Sequence, residues 1–166
     1  MEVRKSTAND MNEILSIYDS ARAYMVTHGN PTQWQAGYPG EDVLAKDIAN
    51  GDSYVITADG TIVGTFSFII GEEPTYQIIE NGEWNYNKPY GTIHRVASNG
   101  IRKGVAAICF DYCSRQIDYM RIDTHEDNLA MQNAIGKYGF QKCGIVYVRD
   151  GTRRIAFDYM RAKKEK

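Results

Sequence analysis

The chain has 166 residues, 43% hydrophobic and 24% charged, with a formal net charge of −2. That length suits one domain, 1–166, around a single sizeable core, and a pI near 5.9 supplies no field for nucleic acid or a membrane surface as partner. No apolar run approaches the roughly 18 residues of a membrane span, and the first ten residues, MEVRKSTAND, lack the apolar core of a signal peptide, so a cytoplasmic protein is expected.

In chain order, residues 2–6 read as a short strand. Thr7-Ala8-Asn9-Asp10 resembles a capping box, and Met11, Ile14, Leu15 and Tyr18 follow at helical spacing. That predicts an amphipathic helix to about Val26, stopped before His28-Gly29-Asn30-Pro31. The stretch 31–40 reads as a loop that carries Trp34 and Tyr38, and a shorter helix is expected over 41–49, ended by Asn50-Gly51. Strands at 53–57 and 62–70 flank Ala58-Asp59-Gly60, a hairpin signal. A polar loop over 71–89, with Glu72, Glu73, Glu83, Trp84 and Tyr86, precedes a strand at 90–97. A helix over about 102–117 presents Val105, Ile108, Cys109 and Tyr112 on one face. After a strand at 119–123, a helix from about Asn128 aligns Met131, Ala134, Ile135 and Tyr138, with Gly139 as its stop. Two strands, 140–148 and 153–159, close the chain around Asp150-Gly151.

Three cysteines, Cys109, Cys113 and Cys143, form no CxxC pair and read as buried thiols. His28, His94 and His125 are scattered relative to them, so no metal site is expected. Twelve tyrosines and two tryptophans suggest a lined pocket.

The stretch with the most chemical content is Val96-Ala97-Ser98-Asn99-Gly100-Ile101-Arg102-Lys103-Gly104-Val105-Ala106-Ala107. A strand runs into a short turn of glycine and cations, which opens straight into a helix. Free N–H groups and a partial positive charge at such a helix start seat a phosphate or pyrophosphate. The backbone of Lys103, Gly104, Val105, Ala106 and Ala107 would hold the anion. Small residues at Gly104 and Ala106 permit close approach, and Lys103 or Arg102 could add charge.

This turn, the element order and Asn128 followed by Gly139-Phe140 together resemble the GNAT family of N-acetyltransferases. The resemblance covers nearly the whole chain. It implies a mixed, mostly antiparallel seven-stranded α/β sheet flanked by helices on both faces, the acyl-CoA N-acyltransferase fold. It also implies acetyl-CoA as co-substrate and a primary amine of a small molecule or peptide as acceptor, attacked directly in a ternary complex. Gly104 and Ala106 match the family's Gln/Arg-x-x-Gly-x-Gly/Ala turn, whereas Ile101 stands at its first position and the turn is about two residues short.

By the same resemblance, the strand before the turn splays from its neighbour. The main chain of Val96, Ala97 and Ser98 then pairs with the pantetheine arm, with Met131 beside it, and Asn128 either bonds the arm or caps its helix. Strand alternation puts Thr92, His94 and Val96 on one face, and Ile93, Arg95 and Ala97 on the other. His94 is the leading general base, because an imidazole titrates near neutrality and this strand borders the reaction centre in the family. His125 and Glu72 are lesser candidates. The usual tyrosine seven residues after the asparagine is replaced by Ile135, which leaves two readings: Tyr138 as the acid, or no dedicated acid, with water protonating the thiolate. Trp34 and Tyr38, with Tyr86 and Tyr90 beside Glu72, Glu73 or Glu83, would wall the amine site.

The alternative is an acyl-CoA-binding module that has lost catalysis, which Ile135 keeps open. A nucleotide-binding protein of another kind would need a P-loop or dinucleotide fingerprint, and neither is present. The acceptor's identity and the oligomeric state, a homodimer included, stay open.

Overall fold

The alternating and helical periods settle into the expected elements in a computed structural model, which describes residues 1–35 and 37–162. The strands are β1 (Glu2–Lys5), β2 (Ser53–Ala58), β3 (Thr61–Ile70), β4 (Gly91–Ser98), β5 (Tyr119–Thr124), β6 (Gln141–Tyr147) and β7 (Arg153–Met160). The helices are α1 (Met11–Thr27), α2 (Glu41–Ala49), α3 (Val105–Ser114) and α4 (Leu129–Tyr138). All seven strands form one sheet in the order β1-β2-β3-β4-β5-β7-β6. Only the central β4–β5 pair is parallel, so the sheet is mixed and mostly antiparallel, with helices on both faces as expected. Among the described residues no helix is long and apolar enough to cross a membrane.

Local chemistry explains the boundaries. Asp59 and Gly60 both take positive φ, 51° and 78°, as a two-residue hairpin turn requires. Thr7–Asp10 becomes a 3-10 turn ahead of α1, where Asp10 accepts from the Thr7 N–H at 2.8 Å. Arg4 grips the same carboxylate through both Nη atoms, at 2.8 and 2.9 Å, and holds its pKa down to about 2. The helix expected from residue 102 begins at Val105 instead. Gly104 sits at φ 81° and ψ 13°, a left-handed conformation from which an α-helix cannot propagate backwards.

The core lies on both sides of the sheet. Against α3 and α4 it contains Phe66, Phe68, Ile93, Cys109, Phe110, Met120, Ile122 and Ile135. Beneath α1 and α2 it contains Ile14, Ile17, Tyr18, Trp34, Leu44 and Val55.

The long segment after β3 is not a solvated loop. It folds over the β5–β7–β6 part of the sheet, burying Tyr76 and Tyr90 on Tyr119, Val146 and Ala156, and pairing Glu80 with Ile145 through two 2.8 Å backbone bonds. Arg121 of β5, 7% exposed, anchors it. Its guanidinium carbon lies 4.2 Å from the Trp84 ring centroid and 4.0 Å from that of Tyr90, and Nη2 donates to the Tyr86 carbonyl at 3.0 Å. Cation–π contacts desolvated in this way contribute up to about 2 kcal/mol each. Arg121→Ala is therefore expected to lower stability by roughly 2–4 kcal/mol in urea denaturation, with Trp84 fluorescence reporting detachment of the segment. A loss under about 0.5 kcal/mol would show that the ring stack is not its anchor.

Candidate functional site

The site arises where β4 and β5 part. Their pairing covers only Gly91–Met120, Thr92–Arg121 and Ile93–Ile122. Beyond Ile93, β5 goes on pairing with β7 as far as Thr124, while β4 leaves its β5-facing backbone groups without a strand partner. The cause is visible in the β3–β4 register. Thr65 faces Ala97 and Ser67 faces His94, so Phe66 alone stands opposite both Arg95 and Val96. This is a β-bulge, which bends and twists its strand away from its neighbours. Arg95 carries the bulge at φ 53°.

The bulge corrects the strict alternation expected along this strand. Arg95 pairs with Asp47 of α2 at 2.5 Å, and Ala97 belongs to the cluster beneath α1 and α2. Val96 packs with Ile93 on the α3/α4 side. His94, opposite Ser67 whose hydroxyl donates to Asp47 at 2.8 Å, shares the Arg95 face. The extra residue places two consecutive polar side chains, His94 and Arg95, on one face.

A cavity of about 1140 Å³ runs through the gap. Around the end of β4 and the starts of α3 and α4 its wall includes Val96, Ala97, Ser98, Arg102, Lys103, Gly104, Val105, Ala106, Asn128 and Met131. Ala107, also expected here, is exposed in the first turn of α3 and outside the wall. No side chain caps α3, so the first-turn N–H groups of Val105, Ala106 and Ala107 have no intrahelical acceptor. A Cβ built on Gly104 would meet nothing within 4 Å, so its approach side is open. The turn is braced from within: Gly100 N–H donates to Ser98 Oγ and Ile101 N–H to Asn99 Oδ1, each at 3.1 Å. The contrast with α4 is plain. There Asn128 Oδ1 accepts from Met131 N–H at 3.1 Å, and its Nδ2 donates to Gln33 Oε1 at 2.9 Å, so Asn128 caps a helix and ties it to the α1–α2 loop. Arg102 reaches Asp59 at 2.5 Å, which leaves Lys103 as the turn's other cation.

On the opposite face the wall includes Trp34, Tyr38, Asp47, Asp52, Glu73, His94, Arg95, Asp123 and Arg154. His94 Nε2 lies 3.5 Å from Glu73 Oε2. The His94 contact, then the Thr75 hydroxyl and N–H, hold the Glu73 carboxyl down to about 2 against the opposing effect of burial. Trp34 serves both as wall and as packing, edge-on to Tyr18 at 5.4 Å. Tyr38 is exposed, with its OH 3.5 Å from Arg95 Nη1.

Other expected residues lie elsewhere. Glu72 is exposed outside the wall, and its neighbour Glu73 takes the place because it accepts from Thr75 N–H and so caps the Pro74–Tyr76 turn. Tyr86 packs on Tyr119 and borders a separate depression with Lys88 and Ile117. His125 is buried, accepting from Asp127 N–H at Nδ1 and meeting Thr32 Oγ1 at Nε2. It shapes the β5–α4 turn. Tyr138 points to α3, donating to Asp111 Oδ1 at 2.8 Å among Phe110, Phe140 and Tyr159, where burial pushes its hydroxyl up to about 12. Ile135, one turn before, is fully buried. Sequence reasoning missed Asp47, Arg95, Asp123 and Arg154. Each sits in an ordinary helix or strand pattern, and only the bulge and the strand order bring them together.

No family model matches the chain, and no curated protein matches it. Among solved structures it is similar to a GNAT-family acetyltransferase from Streptococcus agalactiae 2603, with 30% identity and a TM-score of 0.89 over 98% of this chain and 96% of that one. A GNAT-family acetyltransferase from Listeria monocytogenes 4b F2365 is 17% identical, with a TM-score of 0.69 over 96% and 94% of the two chains. A ribosomal-protein-alanine N-acetyltransferase from Brucella melitensis is 16% identical, with a TM-score of 0.58 over 96% and 99%. At that identity the last two speak for the fold alone.

Proposed function

Because the chain belongs to the GNAT family of acetyltransferases, we propose that it moves acetyl from acetyl-CoA to the primary amine of a small molecule or peptide, by direct attack in a ternary complex. The observation that carries this reading is the open edge of β4 beyond Ile93, continuous through one cavity with the uncapped start of α3. An extended pantetheine chain fits the strand edge as an added strand would. A pyrophosphate fits the helix start, where donors and partial charge converge. The main chain of Val96 and Ser98 would hold the first, and that of Gly104, Val105, Ala106 and Ala107 the second.

When bound, acetyl-CoA supplies the acetyl group: the amine nitrogen bonds the carbonyl carbon, the carbon–sulfur bond breaks, and the sulfur leaves as a thiolate, which is protonated through water by the proton that the nitrogen sheds on becoming an amide. The residues of this chain prepare the acceptor. A primary ammonium, with a pKa near 10, must lose a proton before it can attack. His94 takes it. With Nε2 turned toward Glu73, Nδ1 is the free basic nitrogen, and the carboxylate fixes the ring and stabilises the imidazolium that forms. No acid is assigned on α4, since Ile135 is apolar and Tyr138 is engaged with Asp111.

Thiol released from acetyl-CoA over a panel of amino acids, diamines, aminoglycosides and peptides tests the reading. Release above the amine-free rate supports it, and CoA binding without turnover on any amine would favour a sensing module. Gly104→Val adds a second check. A β-branched residue resists φ of +81° and puts its methyl groups where the anion must approach. The KM for acetyl-CoA should rise about 10- to 100-fold, the range of one or two lost charge-assisted hydrogen bonds, with less effect on the acceptor KM.

A further inference from the structure

We infer that the acceptor is an amine that also carries a carboxylate, read by Arg154, an inference that rests on the acetyl-transfer reading of the cavity. Arg154, the second residue of β7 and two strands from His94, lines the acceptor half of the cavity although it is only 7% exposed. A guanidinium has five N–H donors. Among the described residues one acceptor is within hydrogen-bond distance, the Gln33 carbonyl at 2.8 Å from Nη2. Nη1 lies 4.0 Å from Asp123 Oδ1, beyond a hydrogen bond, and Nε has no partner. Asp123 is itself engaged by the Tyr76 hydroxyl at 2.5 Å. A buried guanidinium with most of its donors unspent is costly unless something completes it. A planar carboxylate completes the fork with two parallel bonds.

The charges around it select for a zwitterion. Glu73, Asp47 and Asp52 favour an ammonium on the β4 side, while Arg154 lies beyond β5, with Asp123 between it and Arg95 along the strand order. Arg95 is already taken by Asp47 at 2.5 Å, so of the two largely buried guanidiniums Arg154 is the one with no carboxylate in hydrogen-bond contact, while Lys46 and Arg149 also line the cavity. A linear diamine would set its second ammonium near these guanidiniums, and a plain alkylamine would leave Arg154 as it is. An amino-acid-like molecule answers both halves: its amine goes to the His94 side and its carboxylate to Arg154.

The experiment compares, in thiol release from acetyl-CoA, an α-amino acid and a longer ω-amino acid, each beside its carboxamide and the amine that lacks the carboxyl carbon. For at least one of the two lengths, the carboxylate form should have kcat/KM about 10- to 100-fold above both analogues, the worth of a charge-assisted hydrogen bond. Arg154→Gln should erase that preference by raising the acceptor KM, with the KM for acetyl-CoA unchanged, and Arg154→Lys should keep part of it. Carboxamides or plain amines used as well as the carboxylates at both lengths would overturn the inference, whatever the variants do. Thermal stabilisation by the same compounds is read in parallel without acetyl-CoA. If no amine is turned over, the acetyltransferase reading fails, and this second measurement still decides the subsite. Stabilisation by amino acids beyond their amides, lost in Arg154→Gln, supports it, and equal stabilisation overturns it.

Discussion

His94→Ala is expected to lower kcat by about 10²- to 10⁴-fold, the usual worth of a positioned general base, while the KM for acetyl-CoA moves less than about threefold. The asymmetry follows from the geometry. His94 faces the acceptor half of the cavity, and the features suited to the CoA moiety are main-chain groups of β4 and α3 on the other side. A base that acts only as the ammonium gives up its proton contributes to the rate and not to donor binding. The check is a steady-state measurement over both substrates, repeated at high pH. There the amine is increasingly deprotonated by solvent, and the deficit of the variant should narrow. A deficit that stays constant through pH 10 would remove His94 from proton transfer.

Glu73 makes the pH argument more specific. Its carboxyl is held at about 2, chiefly by its contact with His94, so it remains ionised throughout the neutral range. An acid limb in kcat/KM between pH 5 and 7 therefore does not come from Glu73. The sign for stability follows from the same shift. The folded pKa lies below the ordinary 4.5, so the contribution is fully present above about pH 5 and fades as pH falls toward 2. The stability gap between the wild type and Glu73→Gln should close as pH falls from about 5 toward 2.

The architecture was legible from periodicity because each element follows its local rule. The apolar spacing of Met11, Ile14, Leu15 and Tyr18 produced a helix with Ile14 and Tyr18 fully buried, and Asp59-Gly60 produced a two-residue turn. The open, uncapped start of α3, where an anion seat is proposed, was legible because a turn, two glycines and a helix start are contiguous in sequence. The acceptor side was not. Arg95 reads as an ordinary strand position, and nothing local marks it as the extra residue opposite Phe66. Glu73 and Glu72 differ only in which one caps the turn at Pro74. Tyr138 looked available on its helical face, yet that face turns to Asp111 of α3, a contact across 27 positions. Pairings of this kind come from packing between elements, which a local pattern does not encode.

The bulge also yields the largest expected effect on stability. Arg95 occupies a left-handed conformation at φ 53°, which costs a non-glycine residue about 1 kcal/mol and persists only if its surroundings hold it. Two contacts do so: the Tyr18 hydroxyl donates to the Arg95 carbonyl at 2.8 Å, and Asp47 takes its guanidinium at 2.5 Å. Asp47→Ala removes the second and leaves a charge uncompensated in a largely buried position. It also strips the Ser67 hydroxyl of its acceptor. Breaking a buried pair from one side costs about 3–5 kcal/mol, and urea denaturation should show a loss of that size. Arg95→Gly also leaves a partner, the buried Asp47 carboxylate, without its counter-charge but relieves the backbone strain, so its loss should be about 1 kcal/mol smaller than that of Asp47→Ala, and the double variant should lose less than the two single losses added. Equal losses in the two single variants would mean that the pair does not hold the bulge. If it does, Asp47→Ala lets β4 close toward β5. Acetyl transfer should then fall further than unfolding explains, since the open strand edge proposed to hold the donor exists only while β4 is bent.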